Sequence, residues 1–433
     1  MKEDSQRKAR LAKQASYITA AAPARKRNLA LASLLQGLRA NRKKIISQNA
    51  KDLRAAQRAG LALPLLKRLE LSEEKFSEIL REVSGVKRQQ DPLGRVISKT
   101  LLDTGLELSQ VTTPLGVVLA IFESRPDALV QISCLAIKTG NCAILKGGSE
   151  AKNTNRILAK IIRASLRKGG LPQEAIQLVE SRESVKVLLT MNDCIDLVIP
   201  RGGSGFVRHM QKNSTIPLLA HSGGICHEYV DLHADLRKAV KICVDAKCQY
   251  PAACNAMETL LVHKKIAEKF LSAYAKALGG KVELRADAQA RKILRAGGIG
   301  SRKATENDWK SEYNGPILSI KTVKSLDEAI AHINKYGSKH TDGIITENAA
   351  AAREFLSRID SAGVYLNCST RFADGYRYGK GAEAGISTGK LHARGPSGAE
   401  ALLTYKYTLK GSGQIVADYS GKKAKKFLHK KIG

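Results

Sequence analysis

An α/β protein is the fold class that this sequence predicts, and three observations lead to it. Helical spacing dominates the start, short apolar runs then alternate with longer amphipathic stretches, and a second alternating series begins after Asp231. Strands that alternate with helices form βαβ units in a mainly parallel sheet, which binds ligands at the carboxyl ends of its strands. With 433 residues, of which 43% are hydrophobic, two or three domains are expected.

The first part of the chain is predicted to be mostly helical, and a hairpin follows it. Leu, Ile and Ala recur at helical spacing over residues 7–58, and Ser72 stands before two glutamates, as a helix-capping residue does. From about residue 96, the segment ISKTLLDTGLELSQVTTP alternates around central turn residues, which predicts a β-hairpin.

The two alternating series supply the predicted sheets. In the first, helices are expected at residues 126–139, 150–168, 183–192 and 203–212, between the apolar runs LGVVLAI, CAILK, AIQLV, CIDLVI and IPLLA. In the second, helices from Lys264 and from Ser325 alternate with METLLVH, GPILSIK, DGIIT and AGVYLN. The last segment, ALLTYKYTLKGSGQIVADY, predicts strands that pair with the hairpin or with another subunit.

The strong positive charge does not by itself indicate a nucleic-acid partner. Lys and Arg number 72 against 40 Asp and Glu, which gives a formal net charge of +32. Such a charge attracts polyanions over a Debye length of about 8 Å at physiological salt. The cations are nevertheless spread along the chain, without an aromatic platform or zinc-finger spacing, so a solvated basic surface is the better interpretation. Residues 421–433 concentrate lysines, which predicts a disordered basic tail.

Cysteine usage and the absence of targeting signals indicate a cytoplasmic protein. The eight cysteines form no CxxC pair and no zinc-binding spacing, so reduced thiols and no metal site are expected. No apolar run approaches the roughly 18 residues of a membrane span, and the start lacks the apolar region of a secretory signal. The basic start would also suit an organelle transit peptide, which Glu3 and Asp4 disfavour.

Cys254 lies in a turn of small residues just before an apolar strand, in QYPAACNAMETLLVH. The alanines around it leave the thiol open to approach, and Pro251 fixes the preceding backbone. On composition alone, a buried structural cysteine is the better interpretation.

The same segment closely resembles the nucleophile segment of the γ-glutamyl phosphate reductases (glutamate-5-semialdehyde dehydrogenases), a branch of the aldehyde dehydrogenase superfamily. Other segments are similar to that family and follow in its order: IFESRPDALVQ, LKGGSEA, DLVIPRGGSGFVRHM, NCSTRFADG and GAEAGISTGKLHARGPSG. The resemblance extends from about residue 7 to residue 418.

The resemblance implies an aldehyde dehydrogenase-like α/β fold with a Rossmann-like cofactor domain, a catalytic α/β domain and a small β oligomerisation element. The implied boundaries are 1–95 and 114–230 with part of 368–401 for the cofactor domain, 231–367 for the catalytic domain, 96–113 and 402–418 for the oligomerisation strands, and 419–433 for the basic tail.

The resemblance also implies an activity. NADPH would reduce γ-glutamyl phosphate to glutamate 5-semialdehyde through a thioester on Cys254, on the route from glutamate to proline. A homo-oligomer is implied, and so is a separate glutamate 5-kinase partner, since the helical start at residue 7 matches the start of the reductases themselves. The alternatives are a reductase of another acyl phosphate or of an acyl-CoA, and an inactive relative that binds polyanions.

Site residues are carried over from the matching motifs. Ser124 occupies the position of the oxyanion-binding asparagine of aldehyde dehydrogenases, with a helix cap as the alternative, and Asp127 replaces the Asn that usually follows Pro126. Glu312 resembles the glutamate that holds the nicotinamide ribose, or else is an exposed surface residue. Two glycine turns, neither of them a GxGxxG fingerprint, would bind the rest of the cofactor: Lys146, Gly147, Gly148 and Ser149, then Arg201, Gly202, Gly203 and Ser204. The substrate-binding candidates are Arg125, Asn367, Ser369, Thr370 and Arg371, although arginines in so basic a chain also occur as plain surface charges.

A hydrolytic base is not expected. Aldehyde dehydrogenases that hydrolyse their thioester carry a glutamate in an ELGGK-like segment, whereas the corresponding stretch here is AHSGGICHEYVD. It offers His221, Cys226 and His227, and Glu228 is the rival base.

Overall fold

A computed structural model describes residues 2–220 and 223–433, without the side chains of Pro64 and Ser204. Helices and strands alternate through most of these ranges. The α-helices are α1 (Lys2–Ala21), α2 (Ala24–Ala40), α3 (Arg42–Arg58), α4 (Leu63–Leu69), α5 (Glu73–Arg88), α6 (Pro126–Lys138), α7 (Lys152–Lys168), α8 (Arg182–Leu188), α9 (Ser204–Asn213), α10 (Leu236–Cys248), α11 (Ala267–Leu278), α12 (Ala288–Ala296), α13 (Leu326–Tyr336) and α14 (Ala349–Arg358).

The strands are β1 (Val96–Asp103), β2 (Leu106–Pro114), β3 (Val117–Phe122), β4 (Cys142–Lys146), β5 (Ile176–Leu178), β6 (Leu197–Arg201), β7 (Cys226–Val230), β8 (Met257–His263), β9 (Glu283–Ala286), β10 (Arg302–Lys303), β11 (Ile317–Val323), β12 (Thr341–Ile345), β13 (Gly363–Leu366), β14 (Ile386–Ser387), β15 (Gly395–Pro396), β16 (Leu403–Lys410) and β17 (Lys430–Lys431).

The helical start packs against the first sheet. Leu31, Leu34 and Leu38 of α2 recur at helical spacing and are fully buried in the core that α6 and α7 share with it. Ser72 accepts the backbone N–H of Lys75 at 3.2 Å, so the predicted helix cap is confirmed.

The first sheet is parallel and has the strand order β5-β4-β3-β6. The four helices predicted for this series correspond to α6–α9. The fifth predicted strand, IPLLA, is wrong, because only Leu218 bridges to Val198 of β6. Pro217 lacks the N–H that a continuing ladder would need, which ends the pairing after a single bridge.

The second sheet is parallel, with seven strands in the order β10-β9-β11-β8-β7-β12-β13. Strand β8 coincides with the predicted METLLVH, and all of its side chains are buried. Ser325 caps α13 by accepting the N–H of Glu328 at 3.3 Å. Such buried parallel strands explain why the runs are continuously apolar rather than alternating.

The third sheet is antiparallel, in the order β16-β2-β1-β17. The predicted hairpin is formed by β1 and β2, and β16 pairs with β2 of the same chain along its whole length. The tail is not a disordered extension, because β17 pairs with β1, Ile432 donates to Lys99 at 2.9 Å, and Phe427 stacks on Tyr419. The free edge of β1 supplies partners for the tail backbone that its lysine-rich composition does not reveal.

None of the described helices is long and apolar enough to span a membrane.

Candidate active site

Cys254 lies in the loop between α10 and β8, where two other parts of the chain hold the backbone. Arg68 of α4 donates to the carbonyl of Ala252 at 3.2 Å, and the carboxamide of Asn255 donates to the carbonyl of Ala373 at 2.8 Å. Within the loop, the N–H of Ala253 bonds to the carbonyl of Tyr250 at 3.1 Å. Cys254 thus precedes the first residue of β8. The general rule for parallel sheets places sites at the carboxyl ends of strands, so the position of this thiol departs from that rule.

A glycine lies directly against the nucleophile backbone. A Cβ on Gly224 would overlap the carbonyl of Cys254, so no other residue fits there without a shift of the loop. Cys226, at the start of β7, donates its thiol to the same carbonyl at 3.3 Å. The glycine pair in HSGGIC is the sequence signal for this close approach, which was not among the predicted features of that segment.

The thiol of Cys254 is half-buried and protonated at neutral pH. Burial, with the charges of Glu383 and Glu312, raises its pKa to about 11. Arg125 and Arg201 act in the opposite direction and lower that pKa. Attack by this thiol therefore requires a group that accepts its proton during the reaction.

Arg201 and Arg125 approach the thiol from the ends of neighbouring strands. Arg201 ends β6 and is paired in register with Phe122, the last residue of β3, and Arg125 follows β3 by three residues. The Arg201 guanidinium donates to Gln131 at 3.3 Å and to Glu383 at 3.5 Å.

A third arginine, Arg371, is close enough to Cys254 to interact with it electrostatically. Arg371 is largely buried, donates to Gln249 at 2.9 Å, and its guanidinium lies 5.9 Å from the ring centre of Tyr250. A thiolate on Cys254 would interact favourably with Arg371 and with Arg201. Three arginines and two glutamates, Glu383 and Glu312, thus act on one sulfur atom with opposite effects.

Ser124 has its hydrogen-bond donors occupied. Both its hydroxyl and its backbone N–H donate to Oε1 of Glu150, at 2.7 and 2.6 Å, and its φ of 44° is left-handed. The hydroxyl is thus directed to Glu150 rather than left open for a substrate oxygen. The alternative of a helix cap is wrong, since Arg125 is the N-cap of α6 and no side chain bonds that helix end.

Asp127 lies in the first turn of α6, where the helix dipole favours a negative charge. Its charge also acts on Arg201, so the substitution adds an acidic group to the arginine cluster.

A cleft of about 860 Å³ opens beside this site, between β4, α8 and α9. Lys146, Gly148 and Ser149 line it, and burial lowers the pKa of the Lys146 ammonium. A Cβ on Gly147 would overlap the carboxamide of Asn155, and one on Gly148 would overlap the carboxylate of Glu150, so both positions require glycine as the side chains stand. Cations beside apolar surface, including Arg182 and Phe206, suit the phosphates and aromatic base of a dinucleotide.

The second glycine turn differs from the first, because Arg201, Gly202 and Gly203 do not line the cleft. Arg201 interacts electrostatically with Cys254, whereas Gly202 packs so that a Cβ would lie 2.7 Å from the ring of Phe206 and 3.0 Å from Glu123. Gly203 is the N-cap of α9, and a Cβ there would meet open space. Ser204 begins α9, and its side chain lies outside the described part of the chain. The two turns are therefore not equivalent halves of one phosphate cradle.

Glu312 is half-buried, so the alternative of an exposed surface residue is wrong. It accepts the backbone N–H of Gly224, and burial raises its pKa. A buried ion pair supports its turn: Lys247 contacts Glu258 at 2.6 Å, and the other oxygen of Glu258 accepts the N–H of Asn314 at 3.1 Å. No sequence pattern predicts this pair, because a lysine and a glutamate eleven positions apart are ordinary.

The remaining substrate candidates shape the loop that carries Arg371. The carboxamide of Asn367 bonds to both backbone groups of Thr346 at 2.9 Å, which is a structural contact. Ser369 accepts the N–H of Arg371 at 3.3 Å. Thr370 donates its N–H to Glu228 at 3.1 Å, and its buried hydroxyl has no hydrogen-bond partner among the described residues.

The rival bases are engaged elsewhere. His221 lies outside the described residues. His227 and Asp342 form a buried pair at 2.9 Å. Burial raises the pKa of Glu228 well above its ordinary value, which favours the protonated carboxyl and makes it a poor base. Among the described residues, no group of three or more potential ligand side chains could hold a metal ion.

Three residues of the site were not singled out from the sequence. Glu383 lies in the motif GAEAGISTGK, so the motif marked its position and only its role was missed. Gln131 and Glu82 lie on helices α6 and α5 and bond to each other at 3.0 Å. Gln131 ends the motif IFESRPDALVQ, so its position was marked and only its role was missed, whereas a Glu such as Glu82 on an amphipathic helix is typical of an exposed face.

Comparison with known proteins agrees with this geometry. The model of the aldehyde dehydrogenase family matches residues 1–306 and 302–406. The γ-glutamyl phosphate reductase of Pelotomaculum thermopropionicum is 51% identical over 425 residues, which cover 98% of this chain and 96% of the relative. The crystal structure of γ-glutamyl phosphate reductase from Thermotoga maritima has a TM-score of 0.90 at 39% identity and covers 95% of this chain and 99% of that chain.

An acetylating aldehyde dehydrogenase from Geobacillus thermoglucosidasius has a TM-score of 0.70 at 16% identity, covers 96% of this chain and 98% of that chain, and shares the fold alone. The fold is thus aldehyde dehydrogenase-like. Because the family model and the relatives cover nearly the whole sequence, the chain belongs to the aldehyde dehydrogenase family and, within it, to the γ-glutamyl phosphate reductases.

Proposed function

We propose that this chain catalyses the NADPH-dependent reduction of γ-glutamyl phosphate to glutamate 5-semialdehyde and inorganic phosphate, a step of proline biosynthesis. The observation that carries the proposal is the Cys254 thiol, on which the charges of Arg125 and Arg201 act, beside a cleft of dinucleotide size. Relatives about half identical over almost the whole chain, named γ-glutamyl phosphate reductase, support the choice of substrate.

Cys254 would act as the covalent nucleophile. Its sulfur forms a bond to the acyl carbon, the bond from that carbon to the phosphate oxygen breaks, and the departing phosphate takes the thiol proton. This transfer needs no protein base, which suits a thiol that is protonated at neutral pH. The product on the enzyme is a thioester of Cys254.

NADPH, when bound, supplies the hydride that reduces the thioester carbonyl. The residues that would hold it are Lys146, Gly148 and Ser149 in the cleft and Glu312 beside Gly224. We assign the backbone N–H of Cys254 as a donor to the developing oxyanion, an interaction that contributes about 3 kcal/mol in other enzymes. The C–S bond then breaks, a proton from solvent restores the thiol, and the aldehyde leaves.

The division of the chain into domains is part of the proposal. The first sheet with α1–α9 would bind the cofactor, the second would carry the nucleophile, and the antiparallel sheet would join subunits of a homo-oligomer. We further propose a cytoplasmic enzyme that is supplied by a glutamate 5-kinase, because acyl phosphates hydrolyse readily and favour a nearby source.

The reaction run backwards tests this function directly. Steady reduction of NADP with glutamate 5-semialdehyde should require inorganic phosphate, and hydroxylamine should trap the acyl phosphate as a hydroxamate. Cys254→Ser is the matched control and should be inactive. Turnover with CoA in place of phosphate, or with other acyl phosphates and not with this one, would support a different reductase. Salt-sensitive binding of polyanions without any turnover would support an inactive relative.

A further inference from the structure

We propose that Arg201 and Arg125 together bind the phosphoryl group of the substrate, so that Arg201 is a phosphate ligand and not a cofactor ligand. The inference rests on the proposed function, because it names the group that the arginines bind during that reaction. It reassigns a residue whose glycine turn alone suggests the cofactor.

The strand register brings the two arginines together. Strands β3 and β6 are neighbours, and the last paired residues are Phe122 and Arg201. Arg125 leaves the end of β3 as the N-cap of α6. Both side chains therefore start from the same edge of the first sheet, which is the edge that faces the nucleophile loop of the second.

The position of Arg201 is electrostatically unfavourable without an anion. Its side chain is 12% exposed, and the neighbouring charge of Arg125 opposes its own. Glu383 and Asp127 offset part of this repulsion. Two guanidinium groups in a poorly hydrated site attract a ligand that carries two negative charges, as a phosphoryl group does at neutral pH.

A hydrogen-bond chain fixes the orientation of the Arg201 guanidinium. Nε2 of Gln131 donates to both oxygens of Glu82 at 3.0 Å, which leaves the carbonyl oxygen of Gln131 to accept from Arg201. On the other side, Glu383 accepts from Arg201 with Oε1 and from the N–H of Gly375, at 2.9 Å, with Oε2. Gln131, Glu82 and Glu383 are thus positioning residues.

The guanidinium keeps donors for a ligand. A guanidinium has five N–H donors, and among the described residues two bonds from Arg201 are formed, to Gln131 and Glu383. The remaining donors suit a bidentate contact with phosphate oxygens, which a lysine could not reproduce.

This placement gives the arginines a chemical task. A phosphoryl group held by them lies beside Cys254, so its oxygen can take the thiol proton as the carbon–oxygen bond breaks. The atoms balance, since acyl phosphate and thiol give thioester and hydrogen phosphate. In reverse, the same site holds inorganic phosphate for attack on the thioester carbon.

The test uses inorganic phosphate as the probe and the full chain without cofactor. Iodoacetamide alkylation of Cys254, followed by mass spectrometry of its peptide, reports phosphate binding as protection of the thiol and needs no turnover. We compare Arg201→Gln and Arg201→Lys with wild type. Arg156→Gln serves as the matched control, because Arg156 lies on α7, is exposed and pairs with Glu180. Thermal unfolding checks that each variant is folded.

The expected result is that Arg201→Gln weakens phosphate protection by about tenfold or more, whereas Arg156→Gln changes nothing. Phosphate protection in Arg201→Lys should be intermediate between wild type and Arg201→Gln, because lysine keeps the charge and loses the bidentate guanidinium. If Arg201→Gln does not fold, the comparison of Arg201→Lys with wild type tests the proposal. In turnover, the KM for phosphate should rise and the KM for NADP should not. Unchanged phosphate protection in both Arg201 variants, or a raised KM for NADP alone, overturns the proposal. Protection by phosphate in a wild type that shows no NADP reduction defeats the proposed reaction and not the phosphate site.

Discussion

The thiol of Cys226 donates a hydrogen bond to the backbone carbonyl of Cys254 over 3.3 Å. The two cysteines thus have separate tasks. Cys226 holds the backbone of the loop, and Cys254 carries the sulfur on which the arginines act. Gly224 completes this contact, because a Cβ there would overlap the same carbonyl.

The first prediction separates these two thiols. Cys254→Ala should abolish turnover, by about 10⁴-fold or more, with cofactor binding and thermal stability retained, because the thiol forms the covalent intermediate. Cys226→Ala should lower the rate only in part, since it loosens the loop without removing the nucleophile. Single-turnover assays and NADPH titration measure both. Residual activity of Cys254→Ala near that of Cys226→Ala would contradict the mechanism.

The second prediction concerns pH. Burial and the charge of Glu383 raise the pKa of Cys254 to about 11, so the thiol is the stable form until well above neutrality. The alkylation rate of Cys254 without ligands should therefore rise about tenfold per pH unit from pH 7 to 9.5, whereas an ordinary cysteine levels off above about pH 9.

Glu383→Gln is the matched variant for this titration. It removes the negative charge that raises the pKa, so alkylation at pH 8 should become faster. A plateau below pH 9 in the wild type, or slower alkylation in Glu383→Gln, would show that the thiol is not governed by these charges.

Much of this architecture could be predicted from the sequence, for identifiable reasons. Ser72 and Ser325 mark helix starts through bonds within one turn of backbone, and the buried strand METLLVH is apparent from a run of apolar residues. The prediction that the tail is disordered was wrong, because its strand β17 depends on the edge of β1, more than 300 positions away. Composition carries no information about a partner so distant.

The site was harder to predict than the fold. A motif places a residue in the chain but not its hydrogen-bond partner, so it could not show that Ser124 donates to Glu150. Likewise, Arg201 belongs by sequence to a glycine turn, yet it does not line the cleft that Lys146 lines and instead interacts electrostatically with Cys254, because a motif does not show where a long side chain is directed.

The third prediction tests cofactor selectivity. Lys146 lines the cleft, where its ammonium could pair with the 2′-phosphate of NADPH. Lys146→Ala should weaken the binding of NADPH by about tenfold and the binding of NADH by much less, as measured by fluorescence titration. Arg182→Ala, at the same cleft, shows whether a second cation shares the task. Equal losses for both dinucleotides would place Lys146 elsewhere on the cofactor.

The fourth prediction concerns the tail. Removal of residues 421–433 should leave the rate per active site unchanged, since the tail pairs with β1 and not with the catalytic loop. It should lower the unfolding temperature by about 2 °C or more, because β1 loses its edge partner and Phe427 no longer covers Tyr419. A shorter truncation that removes only residues 428–433 is the control, because it removes β17 and keeps Phe427 on Tyr419. A loss of turnover in a folded enzyme would contradict this separation.

The last prediction concerns the fate of the thioester. Hydrolysis needs a base that activates water, and Glu228, the nearest match to such a base in sequence, is buried with its pKa raised well above the ordinary value. Its Oε1 accepts the N–H of Thr370, so the carboxyl is held within the protein rather than directed at the thioester. Phosphate, in contrast, can attack without a protein base, because it brings its own oxygen nucleophile.

Aldehyde oxidation should therefore depend on inorganic phosphate. Without phosphate or arsenate, the enzyme should release one equivalent of NADPH per active site and then stop, as the thioester accumulates. Addition of phosphate should restore steady turnover with acyl phosphate as product. Glu228→Gln is the matched variant, and it should not change the slow rate seen without phosphate, because this side chain is bound to the N–H of Thr370 within the protein and is not directed at the thioester. Rapid NADP reduction in phosphate-free buffer, with stoichiometric glutamate, would show instead that a hydrolytic base is present.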